Sequence, residues 1–126
     1  MRKEVALAAR DRMQAICNGV AATFGVAIHF DFDSNYPVTV NDPDQTVVAG
    51  DVAATVAGEP HVHRAVQPLM GGEDFSYMLE SRPGAFIFIG NGASANLHHP
   101  AYDFNDEVIP HGVSYWVKLA ETTLAA

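Results

Sequence analysis

The sequence predicts an α/β chain of mixed α+β character, in which helices pack on one half-buried and one fully buried strand. Three patterns lead there. Apolar residues recur at three- and four-residue spacing over residues 5–24, and apolar and polar residues alternate strictly over 27–33. A continuous apolar run, Ala85-Phe86-Ile87-Phe88-Ile89, then lies between Gly84 and Gly90, as in a strand covered on both faces. With 126 residues, 48% of them hydrophobic and 17% charged, the chain can bury one core and carries no signature of disorder.

Charge narrows the function classes. Seven Lys and Arg against fifteen Asp and Glu give a formal net charge of −8, which opposes binding to nucleic acid or to an anionic membrane. Cys17 is the single cysteine, so no internal disulfide can form. No hydrophobic stretch approaches a membrane span or follows a signal-peptide pattern, and a cytoplasmic location is expected.

The first helix places Val5, Ala9, Met13, Ile16, Cys17, Val20 and Phe24 on one face and Lys3, Glu4, Arg10, Arg12, Gln14 and Asn18 on the other, with Gly25 as its stop. Cys17 falls in the apolar stripe and reads as a small core hydrophobe. Over residues 27–33 the period becomes two: Ile28, Phe30 and Phe32 face the interior, and His29, Asp31 and Asp33 face out. Imidazole and carboxylate do bind divalent ions, but a solvated sheet face accounts for the same alternation. Ser34-Asn35-Tyr36-Pro37 breaks the strand.

Asn41-Asp42-Pro43 opens the second helix. Asp42 is a cap, Pro43 suits the first helical position, and Gln45 can reach back to complete a capping box. The helix is expected to run to about Ala57, with Val48, Val52, Thr55 and Val56 as its buried stripe, flanked by Ala49 and Ala53, and with Gly58 as its end. His61-Val62-His63 stands at the start of an expected strand over 61–67. His-x-His is a spacing that zinc sites use, yet no complementary ligand lies nearby, so surface histidines are expected, and Arg64 reads as solvated or salt-bridged.

Met70-Gly71-Gly72 turns into a short helix over 73–80, whose face is Phe75, Met78 and Leu79. Glu73 and Asp74 suit the positive end of its dipole. Gly71 and Gly72 are also candidates for a substrate wall, because glycines permit close backbone approach and leave N–H groups beside a ligand. The buried strand over 85–89 delivers a loop of small residues, Gly90 to Asn96, and then His98 and His99. Residues just past the C-terminal end of such a strand sit where open α/β sheets bind ligands. Adjacent histidines on extended backbone point opposite ways, so one ion takes one of them. Asp103, Asn105 and Asp106 can orient a ligand imidazole through its second N–H or cap the last helix. That helix begins near Pro110 and carries Val113, Trp116, Val117, Ala120 and Leu124 on the face expected to be core, with His111 exposed in its first turn.

The series Met70-Gly71-Gly72-Glu73-Asp74-Phe75, then Pro83-Gly84-Ala85-Phe86, then Leu97-His98-His99-Pro100 with Asp103-Phe104-Asn105-Asp106, resembles the C-terminal region of the zinc-type amidohydrolases and peptidases. That family includes hippurate hydrolase, N-acyl-amino-acid amidohydrolase and indoleacetyl-amino-acid hydrolase. The resemblance covers most of the chain. It implies residues 1–40 as the last helix and strand of an α+β lid and dimerisation domain. It implies residues 41–126 as the C-terminal part of a metal-bearing, zinc-peptidase-like αβα sandwich. It assigns His98 as a metal ligand and sets the Met70-Gly71-Gly72 turn near the active site. It implies divalent metal, usually zinc, N-acyl amino acids as substrates, and hydrolysis of their amide bond.

Such enzymes are roughly three times this length, so the final third is what the resemblance implies is present. The upstream Glu-Glu pair that supplies the family's base has no counterpart in this sequence, and one credible ligand falls short of the three that a catalytic zinc keeps. The expectation is a chain that is inactive alone, whose divalent metal is bound in the complete enzyme, and that self-associates as a homo-oligomer to cover unpaired sheet edges. The alternative is a non-catalytic binding or oligomerisation module built on the same architecture.

Overall fold

The computed structural model describes residues 3–33 and 36–124. They form helices α1 (Lys3–Phe24), α2 (Pro43–Ala57), α3 (Phe75–Ser81) and α4 (Val108–Thr123), with a 3-10 turn at Glu59–His61. The chain divides into two units: Met1–Val40 with Met70–Arg82, and Asn41–Leu69 with Pro83–Ala126.

In the first unit α1 ends as its glycine dictates. Gly25 adopts φ 64°, and the Val26 N–H donates to the Ala21 carbonyl at 3.1 Å, the six-to-one bond of a Schellman cap. The expected packing of its stripe is not found: no residue of α1 is buried, and Val5, Met13, Ile16, Val20 and Phe24 are exposed. Periodicity names the face that burial would use; it does not supply the partner. Cys17 is half-buried. Residues 27–33 form neither helix nor strand, and Phe30 and Phe32 stack at a centroid distance of 6.3 Å. These rings and Arg10, Asp11 and Gln14 of α1 line an open groove. The expected break at Ser34-Asn35 lies outside the described residues.

Also in this unit, α3 starts two residues later than expected. The Glu73 carboxylate accepts the Phe75 N–H at 3.1 Å, and the Glu73 carbonyl accepts the Ser76 hydroxyl at 2.6 Å, so a fully buried Ser76 is satisfied within its own turn. Of the expected face, Phe75 and Leu79 are half-buried and Met78 is exposed.

The second unit holds the core. Asp42 caps α2 by accepting the Gln45 N–H at 3.0 Å, Pro43 takes the first position, and Gly58 closes the helix at φ 85°. The return half of the capping box does not form, because the Asp42 N–H donates instead to the Gly84 carbonyl at 2.9 Å. Helices α2 and α4 pack together, burying Ala49, Val52 (3% exposed) and Tyr115 (8%). Val48, Ala53 and Val56 are half-buried, and Thr55 is exposed. On α4 the face expected to be core points outward: Trp116 is 66% exposed, and Val113, Val117 and Leu124 are exposed with it. Gly112, Tyr115 and Leu119 form the less exposed side instead. The most apolar stripe of a helix faces its partner only when that is the largest apolar surface available to it.

Among the described residues no strand forms. Segments 27–33 and 85–89 take up neither helix nor strand, and Ile87, Phe88 and Ile89 are exposed. Alternation reports which way side chains face, whereas a strand also needs a neighbour for its N–H and C=O groups. The expected strand over 61–67 is replaced by the 3-10 turn and a bend. Arg64 holds this stretch. Its Nε and Nη2 donate to the two Glu59 carboxylate oxygens, each at 3.0 Å, and Nη2 also meets Asp51 at 3.0 Å. Its guanidinium lies over Gly50, where a Cβ would collide with it. Of the two states expected for Arg64, solvated or salt-bridged, the structure shows the salt-bridged one.

Val52→Ala should lower unfolding stability by roughly 2 kcal/mol in urea titration, whereas Trp116→Ala should stay within about 0.5 kcal/mol of the parent. The hydrogen bonds from Arg64 hold the Glu59 carboxyl below the usual carboxylate range. The stabilisation is therefore whole above that range and is lost as pH falls through the lowered value. Denaturation of Glu59→Gln should show a deficit at neutral pH that closes in acid.

Candidate functional site

The candidate residues divide between the two units. Gly71 and Gly72 belong to the first, and His98, Asp103 and Asn105 to the second. Both glycines are exposed. A side chain on Gly71 would meet nothing within 4 Å, while a Cβ on Gly72 would lie 2.9 Å from the Tyr36 ring. Gly72 is thus required by close approach of an aromatic side chain of its own unit. Tyr36 also meets Tyr77 edge-on, with centroids 6.2 Å apart.

His98 stands on a loop that leaves the apolar segment and returns to α4. The His99 N–H donates to the Asn96 carbonyl at 3.1 Å, closing a turn over 96–99. His98 is its third residue and, at φ 64°, the one described non-glycine residue with positive φ. A type II turn demands this at its third position and normally fills it with Gly or Asn. A histidine there costs on the order of 1 kcal/mol. The His98 side chain is exposed and makes no hydrogen bond among the described residues, so both ring nitrogens are accessible.

His99 is differently placed. Its Nδ1 accepts the Ala101 N–H at 3.0 Å and therefore carries no proton, which leaves the proton of the neutral ring on Nε2. While that turn persists, His99 has no lone pair to offer an ion.

Asn105 accepts the Glu107 N–H on its side-chain oxygen and the Val108 N–H on its carbonyl, both at 3.0 Å, and so caps the entry to α4. Neither it nor Asp103 hydrogen-bonds the His98 ring. The asparagines that hold this region were not singled out by spacing or charge. Asn91 binds the backbone at 103–105, and Asn41 binds both polar groups of the Phe86 backbone. A carboxamide signals such a role only through its ability to donate and accept at once.

Among the described residues no three His, Cys, Asp or Glu side chains gather into a metal site. His29, Asp31 and Asp33 do not form one, nor do His61 and His63 with any third group. The donor chemistry fits one position in a coordination shell, at His98, and not the whole shell. No helix is long and apolar enough to cross a membrane among the described residues.

Residues 6–122 match the profile of peptidase family M20/M25/M40. The chain is 32% identical over 110 residues to a hippurate hydrolase of Campylobacter jejuni, covering 87% of this chain and 29% of that enzyme. It is 31% identical over 123 residues to an N-acetylcysteine deacetylase of Bacillus subtilis, covering 98% of this chain and 32% of that protein. It is 31% identical over 116 residues to an N-acetyldiaminopimelate deacetylase of Streptococcus thermophilus, covering 90% and 30%. The chain thus spans about a third of the length of these relatives. No solved structure matches it significantly.

Replacing His98 with glycine should raise unfolding stability by about 1 kcal/mol, since glycine adopts the left-handed turn without strain. His98→Ala keeps the strain and should show no such gain in the same denaturation assay.

Proposed function

The chain belongs to peptidase family M20/M25/M40, and from that premise we propose that it forms the C-terminal part of a metal-dependent amidohydrolase that cleaves the amide bond of N-acyl amino acids. The observation that carries this is the exposed, unbonded His98 ring on a strained turn, in a position where backbone preference alone would select glycine. In this reading residues 1–40 close an α+β lid and dimerisation unit. Residues 41–126 belong to a zinc-peptidase-like αβα sandwich, in which the extended run over 85–89 takes a sheet position beside strands contributed by other polypeptide.

His98 would hold a divalent metal, with zinc the choice for its imidazole. When bound, such a metal polarises an acyl carbonyl and lowers the pKa of a bound water. The chain's own part is narrower. The His98 loop offers one donor at a set place, Asp103 and Asn105 hold the return of that loop, and the Gly71-Gly72 turn offers exposed backbone to a substrate. One donor does not complete a catalytic site, so hydrolysis requires ligands and a general base from outside these residues, and the chain alone is inactive. Self-association as a homo-oligomer would cover the exposed apolar faces of α1 and α4. A cytoplasmic setting suits the single thiol.

A second reading is favoured by the lack of a three-residue metal cluster among the described residues: a binding or oligomerisation module without catalysis. Zinc content and hippurate hydrolysis, measured on one homogeneous preparation, separate the two. Our reading expects weak zinc uptake that depends on His98, and no turnover. Turnover by this chain alone would refute its incompleteness, and a stable dimer that takes up no zinc would favour the module.

A further inference from the structure

Between residues 91 and 105 the chain makes its excursion through His98, and a single side chain joins the two ends. Asn91 donates from Nδ2 to the Asp103 carbonyl at 2.7 Å and to Ser94 Oγ at 3.1 Å, and its Oδ1 accepts the Asn105 N–H at 2.8 Å. Asn91 and Asn105 are half-buried. Donating to one residue and accepting from the residue two positions on is what a residue of a neighbouring parallel strand does with its own N–H and C=O. Asn105 passes the constraint on, because its side chain and carbonyl accept the first N–H groups at the entry to α4. The remaining bonds of the excursion are local: Ser94 N–H to Gly92, the Ser94 hydroxyl to the Ala95 carbonyl, His99 N–H to Asn96, Ala101 N–H to His99 Nδ1, and Tyr102 N–H to His99. None of these would keep the loop closed once Asn91 let go.

We infer that Asn91 is a positioning residue for His98: it holds shut the loop whose strained turn presents the imidazole. This rests on the reading of His98 as a metal ligand. The physical argument is one of populations. An open loop samples many conformations, a residue bearing a Cβ leaves the left-handed region when nothing holds it there, and apparent affinity falls with the fraction of molecules in the competent geometry. Asn91→Ala removes all three bonds. Asn91→Asp keeps an acceptor for the Asn105 N–H, loses both donations, and sets a carboxylate against the Asp103 carbonyl.

The test is NMR on the isotope-labelled chain, following Asn105 amide exchange, the His98 Cα shift, and the imidazole shifts of His98, His61 and His63 as Zn²⁺ is added stepwise. In Asn91→Ala the Asn105 amide should lose protection and the His98 Cα shift should leave its left-handed value. The Zn²⁺ concentration for half-response at His98 should rise about ten-fold, with Asn91→Asp between it and the parent and with His61 and His63 unchanged. Unaltered Tyr115 shifts show that α2 and α4 remain packed, and should Asn91→Ala fail that check, Asn91→Asp against the parent carries the comparison. An opened loop with an unchanged His98 response would overturn the positioning role. A parent His98 ring indifferent to Zn²⁺, with Asn105 protected in the parent and exposed in the variant, would instead remove the ligand reading and the proposal with it.

Discussion

The Asn41 carboxamide stands in for a neighbouring strand, and the second unit is arranged around it. Its Oδ1 accepts the Phe86 N–H at 2.9 Å and its Nδ2 donates to the Phe86 carbonyl at 2.8 Å, while the Asp42 N–H next to it donates to the Gly84 carbonyl at 2.9 Å. Phe86 is half-buried, where an unsatisfied N–H or C=O costs roughly 1–3 kcal/mol. The contact joins residues 45 apart in sequence. It couples the start of α2 to the apolar run, so the helix that builds the core and the segment that leads to His98 leave from one fixed point.

From that point two consequences run in parallel. Helix α2 carries Ala49 and Val52 against α4 and Tyr115, closing a small core whose burial also pushes the Tyr115 hydroxyl pKa up. The apolar run goes the other way, through Gly90 to Asn91, where a second carboxamide repeats the device on residues 103–105 and returns the chain to α4. Two planar amides thus do locally what a sheet would do with a whole strand. Ile87, Phe88 and Ile89 remain exposed, as does the Trp116 face of α4. Exposed apolar surface of this kind suits association with other polypeptide.

Histidine 98 is where fold and proposed chemistry meet. Its backbone sits in a conformation that a side chain disfavours, its ring is unbonded among the described residues, and the adjacent His99 ring is committed to its own turn through Nδ1. Two neighbouring imidazoles are thereby made unlike by the hydrogen bonds around them.

Local chemistry was legible in the amino-acid sequence alone. The Asp42 cap with Pro43, the glycine ends of α1 and α2 and each of the family motifs between Met70 and Asp106 depend on residues within a few positions of one another. Tertiary structure alone decided what lies far apart. It settled that the Asp42 N–H serves Gly84 and leaves the capping box half made, that α4 turns Tyr115 inward and Trp116 outward, and that asparagines hold Phe86 and the backbone at 103–105. The reason is physical: periodicity and capping are properties of one element, whereas burial and backbone pairing belong to two, and no single stretch of sequence names its partner.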